Sequence, residues 1–154
     1  MSNQPGPADR PPDTSSPANT EAAFYAAVAQ RDLETLMQVW EDSDNILCIH
    51  PGDGRLLGRE AIRDSFGAIF AYGRRHLVPR ARHVQDLGDL VIHTMIEDFS
   101  GSNIEEAEMA MHATNIYRRT AQGWRLVLRQ VSLQSLDMDD CDPHWSVPFA
   151  PGIH

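Results

Sequence analysis

The chain has 154 residues, 42% of them apolar, which suits one domain large enough to bury a core. Its 22 acidic and 13 basic residues give a net charge of −9, a balance that repels phosphate backbones and anionic lipid and so excludes nucleic acid and membrane as expected partners. Two cysteines, Cys48 and Cys141, make neither a disulfide framework nor a zinc spacing. With no secretory pattern and no apolar run near the ~18 residues of a bilayer span, a reducing, cytoplasmic setting is expected.

In chain order, residues 1–18 carry Pro5, Pro7, Pro11, Pro12 and Pro17 among small polar residues and read as a disordered leader. Asn19 or Thr20 can then cap a helix through residues 22–28. Asp32 can cap a second one, in which Leu33, Leu36, Met37 and Trp40 fall at i, i+3, i+4 and i+7, a core-facing stripe. The run Ile46-Leu47-Cys48-Ile49 reads as a strand that closes at His50, directly before the turn Pro51-Gly52-Asp53-Gly54. A third helix is predicted over residues 59–71, with Ile62, Phe66, Ile69 and Phe70 on one side and Gly58 at its entry.

From His76 the pattern turns extended, with strands predicted at about 77–86, 89–100, 105–119 and 124–134. The joints are short enough for hairpins, so consecutive strands should pair antiparallel. Helices followed by a meander give an α+β class, with the helices on one face of a curved antiparallel sheet. The tail, residues 137–154, holds four aspartates together with Trp145, Val147 and Phe149; disorder and docking both fit that composition.

The order of elements, together with the strings Leu47-Cys48-Ile49-His50-Pro51-Gly52, Leu57-Gly58-Arg59-Glu60-Ala61-Ile62, Ala113-Thr114-Asn115-Ile116-Tyr117-Arg118-Arg119 and Gly123-Trp124-Arg125-Leu126-Val127, resembles the nuclear transport factor 2-like superfamily, in its SnoaL-like and ketosteroid isomerase-like branch. The resemblance spans residues 19–136. It implies a cone: a bent sheet wrapped around N-terminal helices, enclosing an apolar pocket and commonly dimerising through its outer face. In the ketosteroid isomerases an aspartate at the strand end moves the proton, while a tyrosine and a protonated aspartate donate to the enolate. On that pattern His50 stands at the base, Asn115 at the protonated acid and Phe24 at the tyrosine.

Period-two alternation extends the expected interior. If Asn115 points inward, so do Met111, Ala113 and Tyr117 on its strand, and Val91, His93, Met95 and Glu97 on the neighbour. On the last strand the same face is expected to carry Leu126, Leu128, Gln130 and Ser132. The expected ligand-binding set is therefore Phe24, Tyr25, Trp40, Phe66, His93, Met95, Met111, Tyr117, Leu128 and Gln130, a mostly apolar lining with a few polar points.

Within it, His50 is the candidate general base and Asn115 the candidate oxyanion donor, a pair suited to an isomerase, cyclase or dehydratase. A strand-end histidine that only bonds its loop, and an asparagine that only satisfies buried backbone, fit the same sequence. His50, His93 and Glu97 have metal-ligand chemistry, but His93 and Glu97 would stand ~13 Å apart along a strand. No metal and no cofactor are expected. The expected partners are a small hydrophobic or mixed-polarity metabolite and a second copy of the chain. The alternative function is a non-catalytic association domain dimerising through the outer sheet face.

Overall fold

The computed structural model describes residues 10–101 and 109–133. Helix α1 (Pro17–Gln30) starts earlier than Asn19 because Ser16 is its cap: the Ser16 hydroxyl accepts from the Asn19 N–H at 3.1 Å, and Pro17 supplies a preset φ at the first helical position. Helix α1 buries Thr20, Glu21, Phe24, Ala27 and Val28 along one stripe and ends at Arg31 in the left-handed region, φ 53°. Residues 10–16, inside the stretch expected to be a disordered leader, are placed. The Thr14 carbonyl accepts from the Trp124 N–H at 2.8 Å, and its hydroxyl accepts from Arg125 Nη1 at 2.8 Å. Helix α2 (Leu33–Val39) is capped by Asp32, whose carboxylate accepts from the Thr35 N–H. Its far end is closed from outside, by Arg59 donating to the Met37 and Glu41 carbonyls, both at 2.8 Å.

Strands β1 (Leu47–Ile49) and β2 (Arg55–Leu57) form a short hairpin around the turn after His50, and helix α3 (Arg59–Tyr72) follows. The long strands are β3 (His76–Asp86), β4 (Leu90–Ser100), β5 (Met109–Thr120) and β6 (Gly123–Leu133). The expected strand at 105–119 is described from Met109 onward; its first residues and the tail lie outside the described residues. All six strands join one curved sheet in the order β2-β1-β6-β5-β4-β3, with the three helices packed on it. The sheet is mixed rather than purely antiparallel. β1 returns beside the last strand and pairs with β6 in parallel, Leu47 opposite Leu128 and Ile49 opposite Gln130. That pairing sets His50 at the open end of the sheet, facing α3.

Alternation on β4 and β5 follows the expected parity: Val91, His93, Met95 and Glu97, and Met111, Ala113, Asn115 and Tyr117, are all buried. On β6 the parity breaks. Tyr117 pairs with Leu126 but Ile116 pairs with Leu128, so Val127 is an extra residue on that strand. Such a bulge turns every following side chain to the other face. Arg129 and Val131 therefore point inward, and Leu128, Gln130 and Ser132 do not.

Candidate functional site

Between α3, the loop after β1 and the ends of β4 to β6 lies a cavity of about 530 Å³, lined mostly by apolar side chains. α3 contributes Ser65, Phe66, Ile69 and Phe70; the sheet contributes Leu77, Phe99, Met111, Val131 and Arg129; His50 enters from the β1 end and Arg75 from the segment after α3. His50 is half-buried, stacked edge-on against Phe66 with centroids 5.1 Å apart, and its Nε2 lies 3.0 Å from Ser65 Oγ. Burial holds its pKa below the ordinary histidine value, Arg129 lowers it further, and Asp53 opposes both. The imidazole is therefore neutral at pH 7 and able to accept a proton.

Behind this wall lies a polar network built around the fully buried Glu21 of α1. Glu21 Oε2 takes the Tyr117 hydroxyl at 2.7 Å, His93 Nδ1 at 2.8 Å and Asn115 Nδ2 at 3.3 Å, while Arg82 Nε stands 2.6 Å from Oε1. Burial pushes the Glu21 carboxyl up, but the bonds from His93 and Tyr117 and the charges of His93 and Arg82 together leave it below the ordinary glutamate value. Arg129 continues the network. Its Nη2 spans both oxygens of Glu97, at 2.7 and 3.0 Å, its Nη1 donates to Asn115 Oδ1 at 3.0 Å, and its guanidinium lies 4.8 Å over the Phe24 ring. Strong pairing with Glu97 outweighs the burial penalty and keeps this arginine charged.

Of the residues singled out in the sequence, His50, Phe66 and Met111 line the cavity. Asn115 does not meet His50. Its amide donates into Glu21 and toward the Tyr25 hydroxyl, 3.5 Å away, and Arg129 lies on the cavity side of its carbonyl, so it is not placed to donate to a ligand oxyanion there. His93 and Tyr117 are spent on Glu21, and Tyr25 contacts Met95 Sδ at 3.1 Å. Phe24 is core, edge-on to Phe66 and Tyr25. Trp40 lines a different, more polar hollow of about 620 Å³, together with Pro11, Arg59 and Arg125. Leu128 and Gln130 belong to the outer face, for the reason the bulge gives. Sequence reasoning missed Arg129, Glu21 and Ser65. The signal for the first was a lone cation in the run Leu126-Val127-Leu128-Arg129-Gln130-Val131, matched on the inward parity of β4 by an acid, Glu97, while its neighbour Asp98 alternates outward.

Among the described residues no three His, Cys, Asp or Glu side chains come together as a metal site, and none of the helices is long and apolar enough to cross a membrane. Cys48 is buried, its thiol pushed up to about 11 by desolvation, which suits a packed side chain rather than a nucleophile.

A family model described as the SnoaL-like domain matches residues 18–135. Among solved structures, the chain is similar to a provisionally named calcium/calmodulin-dependent protein kinase type II association domain from Thiobacillus denitrificans, at 39% identity and TM-score 0.74, over 80% of this chain and 99% of that one. It is also similar to a provisionally named dehydratase of the NTF2-like family from Streptomyces avermitilis, at 28% identity and TM-score 0.71, over 80% of this chain and 96% of that one. A protein with a cystatin-like fold from Caulobacter vibrioides, at 10% identity and TM-score 0.69 over 84% of this chain and 94% of that one, shares the fold alone. No curated protein shows significant similarity.

Proposed function

Because the chain belongs to the SnoaL-like domain family, we propose that it binds a small, largely apolar molecule in the His50 cavity and that His50 acts on that molecule as a general base. The observation that carries this reading is an imidazole on the wall of an apolar cavity, braced by Phe66 and Ser65. Ser65 occupies Nε2 and thereby fixes the ring, so that one tautomer presents Nδ1 as the proton acceptor. Proton abstraction of this kind serves isomerisation and dehydration alike, and the likeness to the Streptomyces avermitilis dehydratase supports the same class.

Native mass spectrometry of the protein from its own host should retain a small molecule, and Ala68→Trp, at the exposed rim of the cavity on α3, should block its entrance and lose it. In D₂O the wild type should then exchange an acidic C–H of that molecule, while His50→Gln should not. Retention by Ala68→Trp refutes the pocket; exchange by His50→Gln refutes the base.

A second reading, a non-catalytic association domain, draws on a different face. Ile92, Ile116 and Leu128 stand opposite one another across β4, β5 and β6 on the outer side of the sheet, half-buried in the single chain. That apolar row, with the likeness to the Thiobacillus denitrificans association domain, supports pairing of two copies through this face.

A further inference from the structure

The small-molecule reading of the cavity leaves the chemistry of its ligand open. Resting on that reading, we propose that the ligand is an amphipathic carboxylate, with an apolar body against Phe66, Ile69 and Val131 and its carboxylate held by Arg129 with help from Arg75.

Three features converge on this class. Arg129 is buried to 3% exposure, yet it is one of the few polar residues on the cavity wall. Its donors are only partly used: Nη2 serves Glu97 and one Nη1–H serves Asn115, while no acceptor among the described residues takes the Nε–H or the second Nη1–H. Buried guanidinium donors find acceptors, and water or a ligand oxygen on the cavity side is the available source.

Second, the guanidinium is held in place before any ligand arrives. Glu97 and Asn115 grip it from behind and the Phe24 ring supports its face, so little ordering is needed on binding. Third, Glu97 already balances the Arg129 charge, and a further cation is present in Arg75. Arg75 is half-buried between the Tyr72 and Phe99 rings, 5.7 and 5.6 Å from their centroids, and makes no ion pair among the described residues. Opposing these, Asp53 also lines the cavity, but it sits in the exposed turn where water screens it. His50 is neutral. The lining therefore favours an anion over a neutral or cationic head, and a planar carboxylate over a bulkier anion within a mostly apolar wall.

The test compares octanoate, octanol and octylamine, three heads on closely matched bodies, by calorimetric titration of the full chain. Octanoate should bind about tenfold tighter than octanol or better, with octylamine weakest, and Ala68→Trp should abolish octanoate binding. Arg129→Lys, checked for folding by circular dichroism, keeps a cation but loses the guanidinium donors. It should narrow the preference for octanoate over octanol, read as the ratio of the two affinities. Because the comparison of heads uses the wild type, the result does not depend on any variant folding. Equal affinity for acid and alcohol, or octanoate binding undiminished in Ala68→Trp, overturns the carboxylate assignment. Failure of all three compounds to bind overturns the small-molecule reading as well.

Discussion

Arg129 and Glu97 form a buried ion pair whose worth can be separated from the worth of either charge alone. Arg129→Met leaves the Glu97 carboxylate, fully excluded from water, without its bidentate partner, and leaves Asn115 Oδ1 without a donor. Breaking such a pair from one side costs about 3–5 kcal/mol, and the orphaned carbonyl adds about 1–3 kcal/mol. Against a total stability of roughly 5–15 kcal/mol for a domain, that loss brings the single variant near unfolding. Replacing both partners, Arg129→Met with Glu97→Met, removes both charges and refills the space with methylenes, which is about neutral apart from the Asn115 carbonyl. The double variant should therefore sit within about 1–3 kcal/mol of wild type, well above either single variant. Urea denaturation followed by fluorescence of the buried Trp40 and Trp124 reads all four proteins on one scale. If the double variant loses the sum of the two single losses, the charges do not interact and the description of the network is wrong.

Four further outcomes follow from the geometry. His50 should titrate below the ordinary histidine value of 6.5 in an NMR pH series, and Asp53→Asn should move it lower still, since Asp53 is the group that raises it; a midpoint at or above 6.5 contradicts the burial argument. Both His50 and Glu21 have lowered native values, so each contributes stability above its ordinary value, 6.5 and 4.5, that is lost as pH falls through the native one. Thermal melts should accordingly weaken stepwise on acidification, and Glu21→Gln should remove the lower step. Gly123→Ala would put a methyl 2.5 Å from Thr14 Oγ1 and 2.8 Å from its carbonyl, at a φ of 115° that an alanine resists. It should cost roughly 1–3 kcal/mol and speed amide exchange in residues 10–16; unchanged exchange there would mean Thr14 does not tether the segment. Ile116→Asp places a charge in the outer apolar row and should shift any dimer to monomer in sedimentation velocity, leaving the melt unchanged.

Much of this fold can be read locally. Asp32 announces α2 because a short acceptor before an apolar stripe satisfies orphan N–H groups, and the inward set on β4 and β5 follows from alternation alone. The parallel return of β1 beside β6 cannot be read that way. Nothing within Leu47-Cys48-Ile49 distinguishes a nearby partner from one 81 positions later, and only the closure of the whole sheet decides it.

The site was obscured by one inserted residue. Val127 looks like any other β-branched strand residue, yet it reverses the parity of everything after Leu126, exchanging Gln130 for Arg129 on the inner face. With glutamine inward, His50 and Asn115 look like the polar pair of one pocket. With arginine inward, the carboxamide is sealed behind a guanidinium and the pocket gains a cation in place of an amide. Glu21 was hidden for a related reason. An acid in the first turns of a helix reads as a solvated dipole partner, and only the convergence of His93, Tyr117, Asn115 and Arg82 from three strands turns it into the buried acceptor that anchors α1 to the sheet. The pairing of an inward cation with an inward acid, Arg129 with Glu97, is visible only once the parity of both strands is right, because Asp98 stands beside Glu97. Two such charges must meet each other or a ligand wherever the strands place them, because neither can be buried alone.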